Sequence, residues 1–559
     1  MASRHKLRLA HVALLLCLTP VIAQTQELDE AARAAMTNIS GDSLYRHLLF
    51  LGNDSLEGRG TGTRGGELAA AYLAQQLQRF GLLPVGEDHS YKQQIPLHAS
   101  KPLAGSKFQL ISKAGVTNLV LGRDYLLYNT GAQTFIPKPA PLVFVGYGIT
   151  APEYDYNDYQ TMNVAGKIVV FLSGEPAAND LSYFEGERQT IYAIPEVKQK
   201  LALSRGAVGS IMIPSPRDLS GAGRNWQYWL EQFAFEDISL LYSAAGNLSV
   251  VMNPAAAQAL FEGGPHSLAE VFAMERMNSV RSFALPVSAS FRGSFQQRDF
   301  LAANVIGMLE GGDPELKHTY IIISAHYDHL GIGPAVQGDS IYNGVFDNAV
   351  GVTATLEMAR AFARLPVKPK RSLLFLFLTG EEKGLLGSTY YVDHPVVPLY
   401  RTIANLNIDG LAMFDTFDDV VGVGAELSTL GELLQEVIKE QRLSVSPLPA
   451  PFAEAASFGR SDQIAFARGG IPAILIMEGT KYRNTPSNAG LQRMIEWGQR
   501  IYHTPFDDLS QPMNLQAAQQ HAQILFAFCY RLANLASPPE WKKGTPYLNV
   551  RLQSLAEQR

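Results

Sequence analysis

Glu381 and Glu382 stand side by side at the end of the apolar run Leu373 to Leu378, just past Thr379-Gly380. Such a run reads as a strand buried on both faces. Its acids therefore emerge at the carboxyl end of a core strand, where open α/β sheets place their ligands. Two adjacent carboxylates in a partly dry site repel unless a cation offsets them. Four more places fall at strand ends or in adjoining loops: His326 and Asp328 after Tyr320 to Ser324, Asp347 ahead of a helix, Asp409 after Leu-Asn-Ile, and His503 in Tyr502-His503-Thr504-Pro505. One such residue is commonly a structural hydrogen-bonding group, but several at one sheet edge form a candidate site.

The donors are imidazole and carboxylate without thiolate, a set that suits catalytic zinc and also admits manganese or cobalt. Two histidines and three acids exceed the needs of one open zinc. They suit two metals about 3.5 Å apart sharing a carboxylate, a pair that acidifies a bridging water and polarises a carbonyl. A further acid must then carry the proton from water to the leaving amine, and one of the adjacent glutamates can do so. The chain has no H-E-x-x-H, which excludes a helix-borne metalloprotease site.

The elements that must position these groups follow from the pattern. After about Gln297, strands (AANVIGMLEG, HTYIIISAHYDH, RSLLFLFLTG, TIANLNIDG, GIPAILIM) alternate with helices such as Asp347 to Leu365 and a closing helix from Asn514 to Leu535. That alternation predicts an α/β fold, a mainly parallel mixed sheet sandwiched by helices. Residues 30 to 50 read as one helix, and the Gly-rich SLEGRGTGTRGG lacks a phosphate-loop pattern and reads as structural before a helix from about Gly66 to Phe80. From about Pro139, short β-branched runs (LVFVGYGI, GKIVVFLSG, AVGSIMIP, NLSVVMNP) predict a small β-rich module. The aromatics of residues 215 to 248 read as a loop packed on its own side chains rather than a wall of a cleft. The expected organisation is 1–23 signal peptide, 24–138 first part of the catalytic domain, 139–296 inserted module, 297–537 catalytic domain and 538–559 a peripheral polar tail.

The 559 residues allow more than one domain, and 47% hydrophobic with 18% charged residues argues against broad disorder. A net charge of −6 gives no sign of nucleic-acid binding. Arg4, His5, Lys6 and Arg8, then apolar Ala10 to Leu18 and small Ala23, form a secretory signal pattern and imply export to the periplasm or the exterior. No later stretch reads as a membrane span. Cys17 falls in that signal, so the mature chain keeps only Cys529 and has neither an internal disulfide nor a cysteine zinc site.

The set AHYDHLG, GVFDNAVG, TGEEKGLLGS, NIDG and YHTPFD resembles the secreted aminopeptidases with two co-catalytic zinc ions, relatives of glutamate carboxypeptidase and transferrin receptor. VGYGI, YDYNDY and GKIVVFLSGEP resemble the protease-associated domain often inserted in them. The resemblance implies a peptide substrate and two zinc ions per chain. It implies that Asp347 bridges the metals, that His326 and Asp409 complete one, and that Glu382 and His503 complete the other. It makes Glu381 the general base, Tyr502 the group steadying the tetrahedral oxyanion, and Asp328, Asp462 and Asp507 supporting residues. His329 lines the site without ligating. Gln463 departs from the pattern, because relatives often carry His after Ser-Asp. Three other readings remain at this level: a one-zinc glutaminyl cyclase, a carboxypeptidase of the same fold, which needs an arginine or lysine such as Arg460 or Arg483 near the site, and an inactive receptor.

Overall fold

The computed structural model describes residues 28–557 apart from 129–134, 178–179, 181, 187–188, 220–224, 244–246, 450–451 and 453–456. The signal-peptide reading of 1–23 lies outside the described residues.

The main sheet is built on β1 (Lys92–Pro102), β2 (Asp237–Leu240), β3 (Phe295–Leu309), β4 (Tyr320–His326), β5 (Ser372–Leu378), β6 (Thr402–Asn407), β7 (Asp419–Val423) and β8 (Ala473–Glu478). Their order across the sheet is β2-β1-β3-β5-β4-β6-β8-β7. The central strands β5, β4, β6 and β8 run parallel. The flanks are antiparallel, β3 against β5 and β7 against β8. The mixed α/β sheet expected from sequence is therefore parallel where it carries the site and antiparallel towards its edges.

Every residue of β5 is buried, and alternation sorts its side chains to two helical layers. Leu373, Phe375 and Phe377 enter a core shared with Leu73 and Leu77 of α1 (Arg64–Arg79), Leu356 and Phe362 of α2 (Val350–Ala363), and Leu525 and Phe528 of α3 (Leu515–Asn534). Leu374, Leu376 and Leu378 enter the opposite core with Tyr391 and Phe466. Coverage on both faces explains why this strand is a continuous apolar run.

A second sheet of eight strands has its own core around Phe108, Tyr125, Phe144, Val170, Ile211 and Val250. Its strands extend from Lys107 to Arg292. They begin ahead of the change in texture at 139, because Phe108, Leu110 and Leu127 are buried in this core and not in the first. Chain leaves the main sheet at the end of β1, touches its edge once in β2 and returns in β3, and β1 and β3 pair from Phe295 opposite Pro102 to Val305 opposite Lys92.

Four local expectations change. Residues 30 to 50 form two helices, Glu30–Thr37 and Gly41–Leu51, because Ser40 accepts the amide of Ser43 and caps a new helix. The helix expected from Asp347 starts at Val350, and Asp347 (φ −122°, ψ 93°) precedes it in a non-helical conformation. The segment from 215 to 248 divides: Trp226, Trp229 and Phe233 pack on the second module, whereas β2 pairs with β1 at the edge of the main sheet. The C-terminal tail is not peripheral throughout. Trp541 donates to the carbonyl of Gly470, and Arg551 donates to those of Leu399 and Thr402, so its polar groups serve as anchors.

Candidate metal centre

The ends of three adjacent parallel strands deliver the site. His326 is the last residue of β4, Glu381 and Glu382 follow β5, and Asp409 follows β6. Asp347 and His503 arrive on loops. The conformation of the Asp347 loop is fixed from two sides. Asp507 accepts the amides of Phe346 (2.9 Å) and Asp347 (3.1 Å). The Asn348 side-chain oxygen accepts the amides of Gly351 and Gly410, which ties this loop to the residue after Asp409. Gly344 opens the loop at φ +58°, where a Cβ would lie 2.2 Å from the carbonyl oxygen of Asp347 and 2.4 Å from the ring of His329. Only glycine fits both the conformation and the space.

The donors converge. Asp347 turns one oxygen to His326 Nε2 (3.2 Å) and the other to His503 Nε2 (3.2 Å). His326 Nε2 also lies 3.2 Å from Asp409 Oδ1, and His503 Nε2 lies 3.1 Å from Glu382 Oε2. The two groups predicted from sequence thus form, His326 with Asp409 and His503 with Glu382, each facing a different oxygen of Asp347. His503 Nε2 is buried without a hydrogen bond of acceptable geometry. His326 Nε2, by contrast, is within hydrogen-bond reach of Asp409 Oδ1. Ligands about 2.0–2.1 Å from a tetrahedral zinc stand about 3.3 Å apart, close to these separations. The residues fit zinc in chemistry and in spacing. Among the described residues, His326, Asp347 and Glu382 each offer a donor atom within 4.8 Å of the others.

The electrostatics express the same demand for positive charge. Burial by itself would lower the pKa of His503, but Glu382 and Asp347 raise it to about 10. Burial also opposes protonation of His326, and Glu381, Asp409 and Asp347 carry it well above the usual imidazole range. Burial pushes Glu382 up, yet His503 and His329 hold it well below the carboxylate range. Glu381 behaves oppositely. Burial raises its carboxyl well above the ordinary value, His326 pulls it down, and neighbouring Glu382, Asp409 and Asp462 add to the rise. The carboxyls of adjacent residues on one turn are thus pushed in opposite directions, Glu382 down and Glu381 up.

The supporting residues fall into place differently. His326 Nδ1 lies 3.2 Å from the backbone oxygen of Asp328 and 3.9 Å from its carboxylate, so the backbone carbonyl is the closer partner. The Asp328 carboxylate instead accepts the amide of Glu381 (3.1 Å) and the hydroxyl of Thr61 (2.9 Å). It positions the β5 turn more directly than the imidazole. His329 touches two of the predicted donors: its Nδ1 lies 2.7 Å from Glu382 Oε1, and its ring packs edge-on against His503 with centroids 5.6 Å apart. Asp462 is buried, and burial raises its carboxyl to about 7 while His326 pulls it down. Gln463 lies off the metal set: its amide oxygen accepts from Asn407 and its nitrogen donates to the carbonyl of Phe458. Tyr502 stacks on His503 with centroids 3.8 Å apart and is 44% exposed, so it stands at the mouth of the site. Partial desolvation, with Asp347, Glu382, Asp409 and Glu381 near it, raises the pKa of its phenol. Arg483 is exposed and pairs with Asp418 (2.7 Å).

Sequence reasoning passed over Arg59. It lies in the Gly-rich stretch taken as merely structural, yet it is buried and donates to four carbonyls: Tyr327 (2.8 Å), Leu51 (2.6 Å), Asn343 (2.5 Å) and Gly344 (2.8 Å). It joins the loop after β4 to the loop of Asp347. The signal was one of two arginines among glycines and had no periodic or motif context.

Residues 304–529 match the family described as Peptidase family M28. Over 201 residues the chain is 30% identical to the probable leucine aminopeptidase 2 of Aspergillus fumigatus, covering 34% of this chain and 35% of that protein. It is 26% identical over 245 residues to the aminopeptidase YwaD of Bacillus subtilis, covering 42% and 46%. The chain thus spans between about a third and a half of the length of these curated relatives. The fold is shared with the solved aminopeptidase from Aneurinibacillus sp. strain AM-1, at a TM-score of 0.53 and 18% identity over 91% of this chain and 96% of that one.

Proposed function

We propose that this chain, a member of peptidase family M28 through residues 304–529, is a zinc-dependent aminopeptidase that removes N-terminal residues from peptides. The observation that carries the reading is Asp347, whose two oxygens each face a different imidazole while Glu381 stands beside the set with a raised pKa. His326 and Asp409 would hold one ion and Glu382 and His503 the other, with Asp347 common to both. When bound, zinc supplies a polarised carbonyl and a water that is nucleophilic near neutral pH.

Glu381 takes the proton of the attacking water and returns it to the departing amine, the work of a base whose pKa has been lifted towards the working range. Tyr502, protonated and at the mouth, donates to the oxyanion as the carbonyl becomes tetrahedral. Carboxylates left exposed beside the donors hold the substrate's ammonium group, which favours action from the N-terminus. The module between β1 and β3 is read as a protease-associated-like insertion, supported by its separate core. The basic start and apolar run at 4–18 support export.

Glu381→Gln should bind the same zinc as the wild type while turnover of a leucyl peptide falls by about 10²- to 10⁴-fold. Near-normal turnover would overturn the assignment. Metal analysis should give two zinc ions per chain. Peptides blocked at the amino end should survive, whereas those blocked at the carboxyl end should lose their first residue, as read by mass spectrometry. The opposite pattern would make the enzyme a carboxypeptidase.

A further inference from the structure

The segment between the two sheets reaches the rim of the candidate metal centre. Phe235 leaves the second module two residues before β2 begins its pairing with β1. Its ring packs edge-on against Tyr342, with centroids 5.1 Å apart, and lies over Gly333 so closely that a Cβ there would fall 2.4 Å from it. Glu236 is fixed beside it by Arg298 (2.7 Å). The Lys383 ammonium also lies over this ring, 5.2 Å from the Phe235 centroid. Lys383 directly follows the ligand Glu382. Its amide bonds back to Gly380, so the tight turn that presents Glu381 and Glu382 also fixes where this side chain starts.

Among the described residues no hydrogen bond and no ion pair within 4 Å holds the Lys383 ammonium; it lies over the Phe235 ring and in the field of Glu382, Asp328, Asp237 and Glu236. A cation held by an aromatic face, next to a metal ligand and without a counter-ion in contact, is a ready acceptor for an anion.

We propose that Lys383, steadied by Phe235, is a subsite for a carboxylate of the substrate on the leaving-group side of the scissile bond. The chemistry admits two sources: the free C-terminal carboxylate of a short peptide, or an acidic side chain following the cleaved residue. Phe235 is a positioning residue, because it acts through Lys383. The subsite couples the second module to specificity, since its ring comes from the segment linking the two sheets. This inference rests on the aminopeptidase reading.

The test compares kcat/KM for Leu-Gly, Leu-Gly-amide, Leu-Glu-amide, Leu-Gln-amide and leucine p-nitroanilide in the wild type, Lys383→Met, Lys383→Arg and Phe235→Leu. Lys383→Met should lose about tenfold or more, mainly through KM, on substrates carrying the recognised carboxylate, as expected for a lost charged hydrogen bond. It should stay within about twofold on the uncharged anilide, the size of effect ascribed to a peripheral change. Lys383→Arg should restore most of the loss, and Phe235→Leu should show a smaller loss with the same selectivity. A loss confined to Leu-Gly identifies the terminal carboxylate, and one confined to Leu-Glu-amide identifies the side chain.

Equal losses on charged and uncharged substrates, or none, would overturn the subsite. Calorimetric binding of a reduced-bond Leu-Gly analogue and its amide gives a readout independent of turnover. If wild type and Lys383→Met bind the acid equally, the subsite is refuted whatever the activity. If the zinc-loaded wild type leaves the anilide and all four peptides intact, the aminopeptidase reading fails instead.

Discussion

Replacing Arg59 by methionine tests how the site is assembled. The guanidinium uses three nitrogens to satisfy four buried carbonyls on three separate segments, Leu51, Tyr327 and Asn343-Gly344. Burial lowers its pKa from 12.5 to about 10, against the pull of Asp507, Asp328, Asp347 and Glu382. That lowering corresponds to roughly 3 kcal/mol by which the folded state disfavours the charge, and methionine avoids this cost. Against it stand four orphaned carbonyls at about 1–3 kcal/mol each, nearer the lower end because carbonyls tolerate under-satisfaction better than amides. The two sums leave a net loss of about 1–3 kcal/mol.

Equilibrium urea denaturation should show Arg59→Met with a lower midpoint at an unchanged slope. Lysine should recover only part, since its three donors leave a single atom and cannot reach three segments. Because Gly344 and Tyr327 flank the donors Asp347 and His326, zinc affinity should fall with stability. A Met variant within about 0.5 kcal/mol of the wild type, the scatter of ordinary surface changes, would refute the claim that this arginine joins the loops.

Three further perturbations probe neighbouring parts. His521 accepts the amide of Ala412 through Nδ1 (3.0 Å) and faces the carbonyl of Ile476 through Nε2 (3.1 Å). Burial lowers its pKa from 6.5 to about 4, with the Ile476 carbonyl opposing. Unfolded chains then bind more protons between these values, so stability should fall by up to about 3 kcal/mol as pH drops from 6.5 to 4. A wild-type minus His521→Gln difference that is flat across that window would contradict this. Asp507→Asn, which replaces one acceptor of the Phe346 and Asp347 amides with a donor, should weaken zinc binding about ten- to hundredfold without touching the metal. Competition with a chromophoric chelator measures it, and unchanged affinity would mean the loop holds itself. Gly344→Ala should cost more than about 2 kcal/mol in thermal or urea unfolding, since both the positive φ and the Asp347 carbonyl oppose a Cβ. A silent substitution there would show that the loop can move aside.

What the sequence determined by itself was the chemistry. Apolar runs ending in His326, Glu381-Glu382 and Asp409 announce buried parallel strands and place their acids at one edge, because local pattern fixes strand identity and strand direction fixes which end is shared. What only the tertiary structure decided was everything set by contacts between distant segments. The pairing of each imidazole with its own oxygen of Asp347 depends on loops held by Asp507 and Asn348, which lie 160 and 62 residues from the amides of Asp347 and Gly410 that they accept. Arg59 acquires meaning only when its carbonyl partners, up to 285 residues away, are brought round it. The start of the second sheet at Lys107 and the reach of Phe235 to Lys383 were equally invisible, because side-chain burial there is decided by which core lies nearest and no short-range pattern records that. Glu381 and Glu382 look identical in the sequence, and they differ only because His329 and His503 lie against one of them and hold its carboxyl down while burial among acids lifts the other.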